Sequence, residues 1–417
     1  MFRLACVMVC ALAFVPAVQA QESVLSRPGV KAALEYLEKS ADQHLQKQIE
    51  IAQIPAPGNQ EQKRAAFMAN EFRRVGLSDV AIDPIGNVLG WRRGRLPSTL
   101  VIAAHLDTVF PPGTDVTVKR NGTRLSGPGL VDDSRGLVCL LALVEALNRG
   151  GISTERTLLF VANVGEEGLG NLRGTKYLFT QSAFRDQLEA FITIDGVDLG
   201  KVVNGAVGSR RYRVTVTGPG GHSYFNFGIV NPAHALGRII ARVADTQVPA
   251  APKTTYSVGL VGGGTSINSV PFENWMEIDM RSEGAAELKA LEATFLEAVR
   301  RGVDDENALR ATSGTQLKVD VKLVGDRPVG VTPENSPLVK AVLWATQAVG
   351  AQPSLEFGSN DAGFPTSLGI PAVCIGGAAI GGDMHSLSEW FEPAGAHVAV
   401  QRALLAVVAF DSASPKT

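Results

Sequence analysis

Apolar and polar positions alternate with two different periods along the chain, and the periods separate its elements. Residues 30–55 carry apolar positions at helical spacing and stop before Pro55 and Pro57, and a second helix is expected over Gln60–Val75. From there strand-like and helix-like stretches take turns: strand Thr99–Ala104, helix Gly136–Leu147, strand Thr157–Val164, helix Gly174–Phe179, strand Ala190–Ile194. Short apolar runs separated by helical stretches describe strands buried on both faces, so a mostly parallel sheet covered by helices is expected. In such sheets ligands bind beyond the carboxyl ends of the strands.

Near residue 209 the pattern changes. Arg211–Thr217 alternates like a half-exposed antiparallel strand, followed by a helix over Asn231–Asp245, strands Tyr256–Val261 and Trp275–Arg281, a long helix over Gly284–Arg301, and renewed alternation to about residue 324. This βαββαβ order predicts a ferredoxin-like unit. Helix Ser336–Val349, strand Ile370–Ile375 and helix Gly395–Phe410 then resume the α/β layer, and Asp411–Thr417 is expected to fray. The fold class expected is therefore α/β, with a catalytic domain over 21–208 and 325–417 interrupted by a lid or dimerisation domain over 209–324.

Composition narrows the function more than the fold. At 417 residues the chain exceeds one ordinary core, in keeping with two domains. A net charge of −2 provides no electrostatic footprint for nucleic acid or an anionic membrane. The first twenty residues stand apart: Arg3, the apolar run Leu4–Val15, Pro16, then Val18-Gln-Ala20. This reads as a secretory signal cleaved near Ala20, since the run is shorter than the roughly 20 residues a membrane span needs. A secreted or periplasmic chain beginning near Gln21 is expected. Cys6 and Cys10 would leave with the signal, whereas Cys139 and Cys374 fall in apolar runs and read as buried thiols, with a disulfide between them left open.

The candidate chemistry lies where strands end. His105 and Asp107 close the first strand, and side chains at i and i+2 of a strand point the same way. Four clusters follow: Asp132-Asp133 in Gly127–Gly136, Glu166-Glu167 between Gly165 and Gly168, Asp195 before Gly196, and His385 between Met384 and Ser386. Alone, each has an ordinary explanation; Asp132 or Asp133 could cap the helix starting near 134. Together they supply two imidazoles and several carboxylates without a thiolate, a donor set for zinc, cobalt or manganese. Two ions explain the excess of acids, with one carboxylate bridging and each ion keeping a histidine and a terminal acid. Of the adjacent glutamates, one can ligate while the other serves as general base. His44, His234 and His397 lie in helix-like stretches without acidic company and read as structural.

The order and wording of these clusters resemble the co-catalytic zinc exopeptidases of the M-twenty metallopeptidase family, which includes peptidase T, glutamate carboxypeptidase, carnosinase-type dipeptidases, aminoacylases and succinyl-diaminopimelate desuccinylase. The resemblance runs from roughly residue 45 to 408. It implies two zinc ions, a peptide or acyl-amino-acid substrate, and a homodimer formed through the lid. It also implies roles: His105, Asp132, Glu167, Asp195 and His385 as metal ligands with Asp132 bridging, Glu166 as general base, and Asp107 orienting His105. A cis peptide after the bridging aspartate would be Asp132–Asp133. In Gly218-Pro-Gly-Gly-His-Ser223 the resemblance implies that His222 reaches a neighbouring subunit's site and supports the oxyanion there. Asn268 and Arg281 match lid positions that hold the substrate's carboxylate or carbonyl, and Gly358-Ser-Asn-Asp-Ala362 matches the substrate-binding loop. Aspartate at 195 and the Gly165–Gly174 segment resemble aminopeptidase, dipeptidase and peptidase-T-like members. Ser134 stands where a lysine is frequent. The activity implied is an exopeptidase acting on di- or tripeptides, with an N-acyl-amino-acid deacylase as the alternative and a non-catalytic peptide-binding protein behind both.

Overall fold

The computed structural model describes residues 23–310 and 314–413. The expected signal, its cleavage site near Ala20, Cys6, Cys10 and the last four residues lie outside them. Among the described residues, no helix is long and apolar enough to cross a membrane.

The main sheet is mixed. Its centre is parallel: Arg156–Asn163, Leu96–His105, Leu188–Ile194 and Ala372–Ile375 lie side by side in one direction. Antiparallel strands flank them, with Ser78–Ile82 and Val88–Arg92 on one side and Lys201–Ala206 and Gly330–Val331 on the other. Ser354–Gly358 runs parallel to Lys201–Ala206. Every residue of the 156–163 strand is buried, as expected of a strand covered on both faces. Alternation along the 96–105 strand sends Leu100, Ile102 and Ala104 to one core and Val101 and Ala103 to the other. The first core packs against helices Pro28–Lys39, Ser134–Arg149, Pro337–Ala348 and His397–Ser412. The second packs against Arg173–Thr180.

The smaller unit has four antiparallel strands in the order 254–263, 273–282, 208–217, 318–327, with helices Pro232–Ala244 and Ala285–Arg310 sharing its core. This is the ferredoxin-like order expected from the sequence pattern.

Three sequence readings change. The helix expected over 30–55 is two helices, Pro28–Lys39 and Ala41–Ala52, divided at Ser40, whose hydroxyl turns back to the Tyr36 carbonyl. The strands 78–82 and 88–92 are additions. The first is an edge strand with little burial, so it lacks an apolar signature. His44 and His234 do have acidic partners, Glu145 at 3.0 Å and Glu306 at 3.7 Å, each supplied by another helix. Their structural reading stands, but sequence proximity could not have shown the pairs. Cys139 and Cys374 are both free and buried.

Candidate metal centre

Each cluster is delivered by the end of a strand or the loop after it. His105 is the last residue of its strand and Asp195 follows the 188–194 strand. The Asp132–Asp133 peptide is cis, and Asp133 caps the 134–149 helix by accepting the Gly136 amide at 2.9 Å. Its other oxygen accepts the His105 amide at 3.0 Å, so one carboxylate ties helix to strand. Gly136 is required there: a Cβ would lie 2.1 Å from the Ile194 carbonyl oxygen. The helix N-terminus can therefore press against the strand that presents Asp195.

Asp132 sits between the two imidazoles. Its Oδ1 is 3.0 Å from His105 Nε2 and its Oδ2 is 3.0 Å from His385 Nε2, which is also 3.0 Å from Glu167 Oε1. His105, Asp133 and Asp195 form a second grouping, and His105, Glu166 and Glu167 a third, with one candidate ligand atom from each residue within 4.8 Å of the others. Asp132 Oδ1 is buried and, although close to His105, has no hydrogen-bond donor aligned with it. A buried carboxylate oxygen without a donor is costly in a protein interior and is what a cation would satisfy. The oxygen-and-imidazole donor set fits divalent metal ions. Cys374 lines the same cavity, but burial pushes its thiol well above the ordinary range.

Asp107 does more than its expected role. His105 Nδ1 faces the Asp107 carbonyl oxygen at 3.0 Å, so the imidazole is oriented by the main chain of that residue, with the carboxylate 3.8 Å away. The carboxylate instead accepts the amides of Glu166 and Glu167, at 3.1 and 2.8 Å. One residue thus aligns a candidate ligand and holds the loop bearing both glutamates.

Three supporting residues were not singled out from the sequence, although Asp361 lies in the Gly358–Ala362 segment expected to bind substrate. Glu389 accepts the amides of Gly129, Val131 and Asp132, which fixes the segment presenting Asp132. Asp361 accepts Asn163 Nδ2 at 2.6 Å and Thr175 Oγ1 at 2.5 Å, pinning the 358–362 loop to the sheet. Arg327, at the end of the 318–327 strand, pairs with Glu166 Oε1 at 2.9 Å, donates to the Glu166 carbonyl oxygen, and reaches Ser359 Oγ at 3.0 Å. Ser134 is buried, its hydroxyl bonded to the Gly129 carbonyl, and Arg135 braces the Gly377 and Ala396 carbonyls.

Asp132, Glu166, Glu167, Asp195 and His385 line a cavity of about 500 Å³ whose lining also includes Lys201, Arg211, Arg281, Arg327 and Gly358. Asp279 is shared by Arg211 and Arg281, leaving that pair with a net positive charge. His222 and Asn268 are not part of the lining. They sit together at the two-stranded antiparallel ladder of Gly221–His222 with Ser269–Val270, where the Ser223 amide donates to the Asn268 carbonyl. Of the expected site residues, the structure therefore gathers His105, Asp107, Asp132, Glu166, Glu167, Asp195, His385, Arg281 and Gly358, and leaves His222 and Asn268 apart.

Charge crowding is strong. Burial pushes the Glu166 carboxyl well above its ordinary value, against the pull of Arg327. Burial, reinforced by Asp132, pushes Asp195 up to about 7. Asp132 and Glu167 hold His385 at about 10, whereas the two imidazoles keep Asp132 well below the usual carboxylate range despite its burial.

Comparison with known proteins agrees with this chemistry. The model of peptidase family M20/M25/M40 matches residues 101–409, and the chain belongs to that family. An uncharacterized Escherichia coli protein, YgeY, is 28% identical over 42% of this chain, and the alignment spans only 43% of that relative's length. The succinyl-diaminopimelate desuccinylase assigned in Mycobacterium tuberculosis is 27% identical over 76% of this chain and 85% of its own. A Staphylococcus aureus tripeptidase shares the fold, with a TM-score of 0.73 at 22% identity, covering 88% of this chain and 98% of its own.

A metal ion entering the centre must displace the proton on His385 at neutral pH. Below about pH 10 that imidazole is protonated, so raising the pH removes the competitor. Metal affinity is therefore expected to increase with pH, about tenfold per unit for each displaced proton. Calorimetric titration in buffers of different ionisation enthalpy measures the protons released; affinity constant between about pH 6 and 9 would contradict the assignment of His385.

Proposed function

We propose that this protein is an exported dinuclear-metal hydrolase that cleaves an amide bond in small substrates, acting as a di- or tripeptidase. The observation that carries the reading is Asp132 placed between His105 and His385, with terminal acids Asp195 and Glu167 beside each. His105 and Asp195 would hold one ion, His385 and Glu167 the other, and Asp132 would bridge them. Zinc suits this donor set, with cobalt or manganese as substitutes. When bound, such a pair activates a water and polarises the amide carbonyl.

The chain's own residues do the rest. Glu166 takes the proton from the attacking water and delivers it to the leaving nitrogen, a shuttle that its burial favours. Arg281, with Arg211 behind the shared Asp279, offers a guanidinium to the substrate's carboxylate. The Gly358 loop lines the same cavity, held by Asp361.

His222 would complete a partner's site, because it stands outside the cavity of its own chain. Around it Tyr224, Phe225 and Phe227 are 78–80% exposed, and Ile267 is fully so, an apolar patch that a second copy would cover. Sedimentation and intact mass check the assembly and the export together. The expected result is a two-chain particle whose chains begin near Gln21, and an active single-chain particle would remove His222 from the mechanism.

The test of the activity is an assay of metal-reconstituted protein against dipeptides, tripeptides and N-acyl amino acids. Hydrolysis of peptides, lost with a chelator and restored by zinc, cobalt or manganese, is expected. Hydrolysis confined to the acyl series would favour the deacylase reading, which the likeness to the mycobacterial desuccinylase supports. No hydrolysis of either, with metals bound, would leave a non-catalytic peptide-binding protein.

A further inference from the structure

A second groove, of about 660 Å³, adjoins the candidate metal centre and is lined by none of the arginines of the first cavity. The two share Val109 and His385. Phe110, Pro111, Pro128 and Leu387 give the groove an apolar wall, hydroxyl side chains line part of the rest, and Asp115 and Lys119 offset each other in charge. The loop that delivers His385 places Met384 and Leu387 on either side of it, and these two side chains and Val109 are 40%, 72% and 39% exposed. Single exposed apolar side chains are ordinary, but three around one candidate ligand at a cavity mouth mark a binding surface. The size is that of a small-molecule subsite, about 300–1,000 Å³.

We infer that this groove holds a bulky apolar group, branched aliphatic or aromatic, on the side of the scissile bond away from the substrate's carboxylate. The inference rests on the hydrolase reading above and adds a substrate class to it. A carboxylate seated at Arg281 and an amide over Asp132 and His385 leave the remaining half of the substrate one exit, past His385 between Val109 and Leu387. In that path Asp115 and Lys119 offset each other, so it has no net charge to hold a second carboxylate, and its apolar wall favours an apolar group. The same apolar group can arrive as the amino-terminal side chain of a dipeptide or as the acyl chain of an N-acyl amino acid.

Two series with alanine on the carboxyl side separate these sources: Gly-, Val-, Leu- and Phe-Ala, and acetyl-, butanoyl-, hexanoyl- and phenylacetyl-Ala. The metal-loaded wild-type protein reports turnover, and the metal-loaded Glu166→Gln variant reports Kd by calorimetry without turnover. In the series that binds, affinity is expected to rise about fourfold per added methylene until the groove is filled. Adding Leu387→Asp is expected to flatten that series, a ratio within one protein that a general loss of stability does not alter. Equal Kd values across both series, or a rise that Leu387→Asp leaves intact, would overturn the inference. A steep Kd series without wild-type turnover would instead overturn the hydrolase reading and leave the groove in place.

Discussion

Glu166→Gln is expected to lower kcat by about 10²–10⁴-fold while the metal content and KM stay close to those of the wild type. Glutamine keeps the shape of the side chain and an oxygen for Arg327, but it cannot take up a proton. The carboxyl it replaces is buried and held well above its ordinary value, the condition under which a glutamate can accept a proton and then return it. Steady-state kinetics with elemental analysis separate this outcome from metal loss. Hydrolysis retained at full metal content would remove Glu166 as the base.

Arg327→Met acts on the same glutamate from the other side and is expected to show two effects. Removing one partner of a buried ion pair leaves the other charge uncompensated, at a cost of about 3–5 kcal/mol in stability. The freed Glu166 carboxylate also loses the contact that fixes its position, and a displacement of about 1 Å at a catalytic group can cost about 10²-fold in kcat. Lysine at 327 is expected to restore only part of both, because one ammonium cannot span Glu166 and Ser359 as the guanidinium does. Denaturant unfolding and kcat are the readouts. A methionine variant that turns over like the wild type would show that Glu166 is positioned without Arg327.

The contrast between these two residues shows what a sequence can carry. Glu166 stood out as a candidate because it follows an apolar strand and sits beside a second acid between glycines, whereas its role as base, and the roles of His105, Asp132, Asp195 and His385, were implied by the order of the five clusters and their family resemblance. Arg327 ends a half-exposed strand, where an arginine reads as a solvated charge. Only its meeting with Glu166, 161 positions earlier in the chain, reveals its partner. Glu389 is hidden in the same way: it works through three main-chain amides 257 to 260 positions away, and Leu387-Ser-Glu-Trp390 has no periodicity to flag it. Asp107 was expected to orient His105, and it faces that imidazole through its main-chain carbonyl, while its carboxylate holds the Glu166 and Glu167 amides, which the sequence did not indicate. Spacing along a strand indicates where a side chain points and says nothing of the loop that comes to meet it. In the fold, buried central strands declared themselves by unbroken apolar runs, whereas the 78–82 edge strand, with little to bury, did not.

The central claim, that ligands from five separate segments build one bridged pair of metal sites, is tested most directly by anomalous diffraction at the zinc edge from crystals of the zinc-loaded protein. The expected result is two peaks on either side of Asp132, one against His105 and Asp195 and the other against Glu167 and His385. A single peak, or a pair that Asp132 does not bridge, would contradict it.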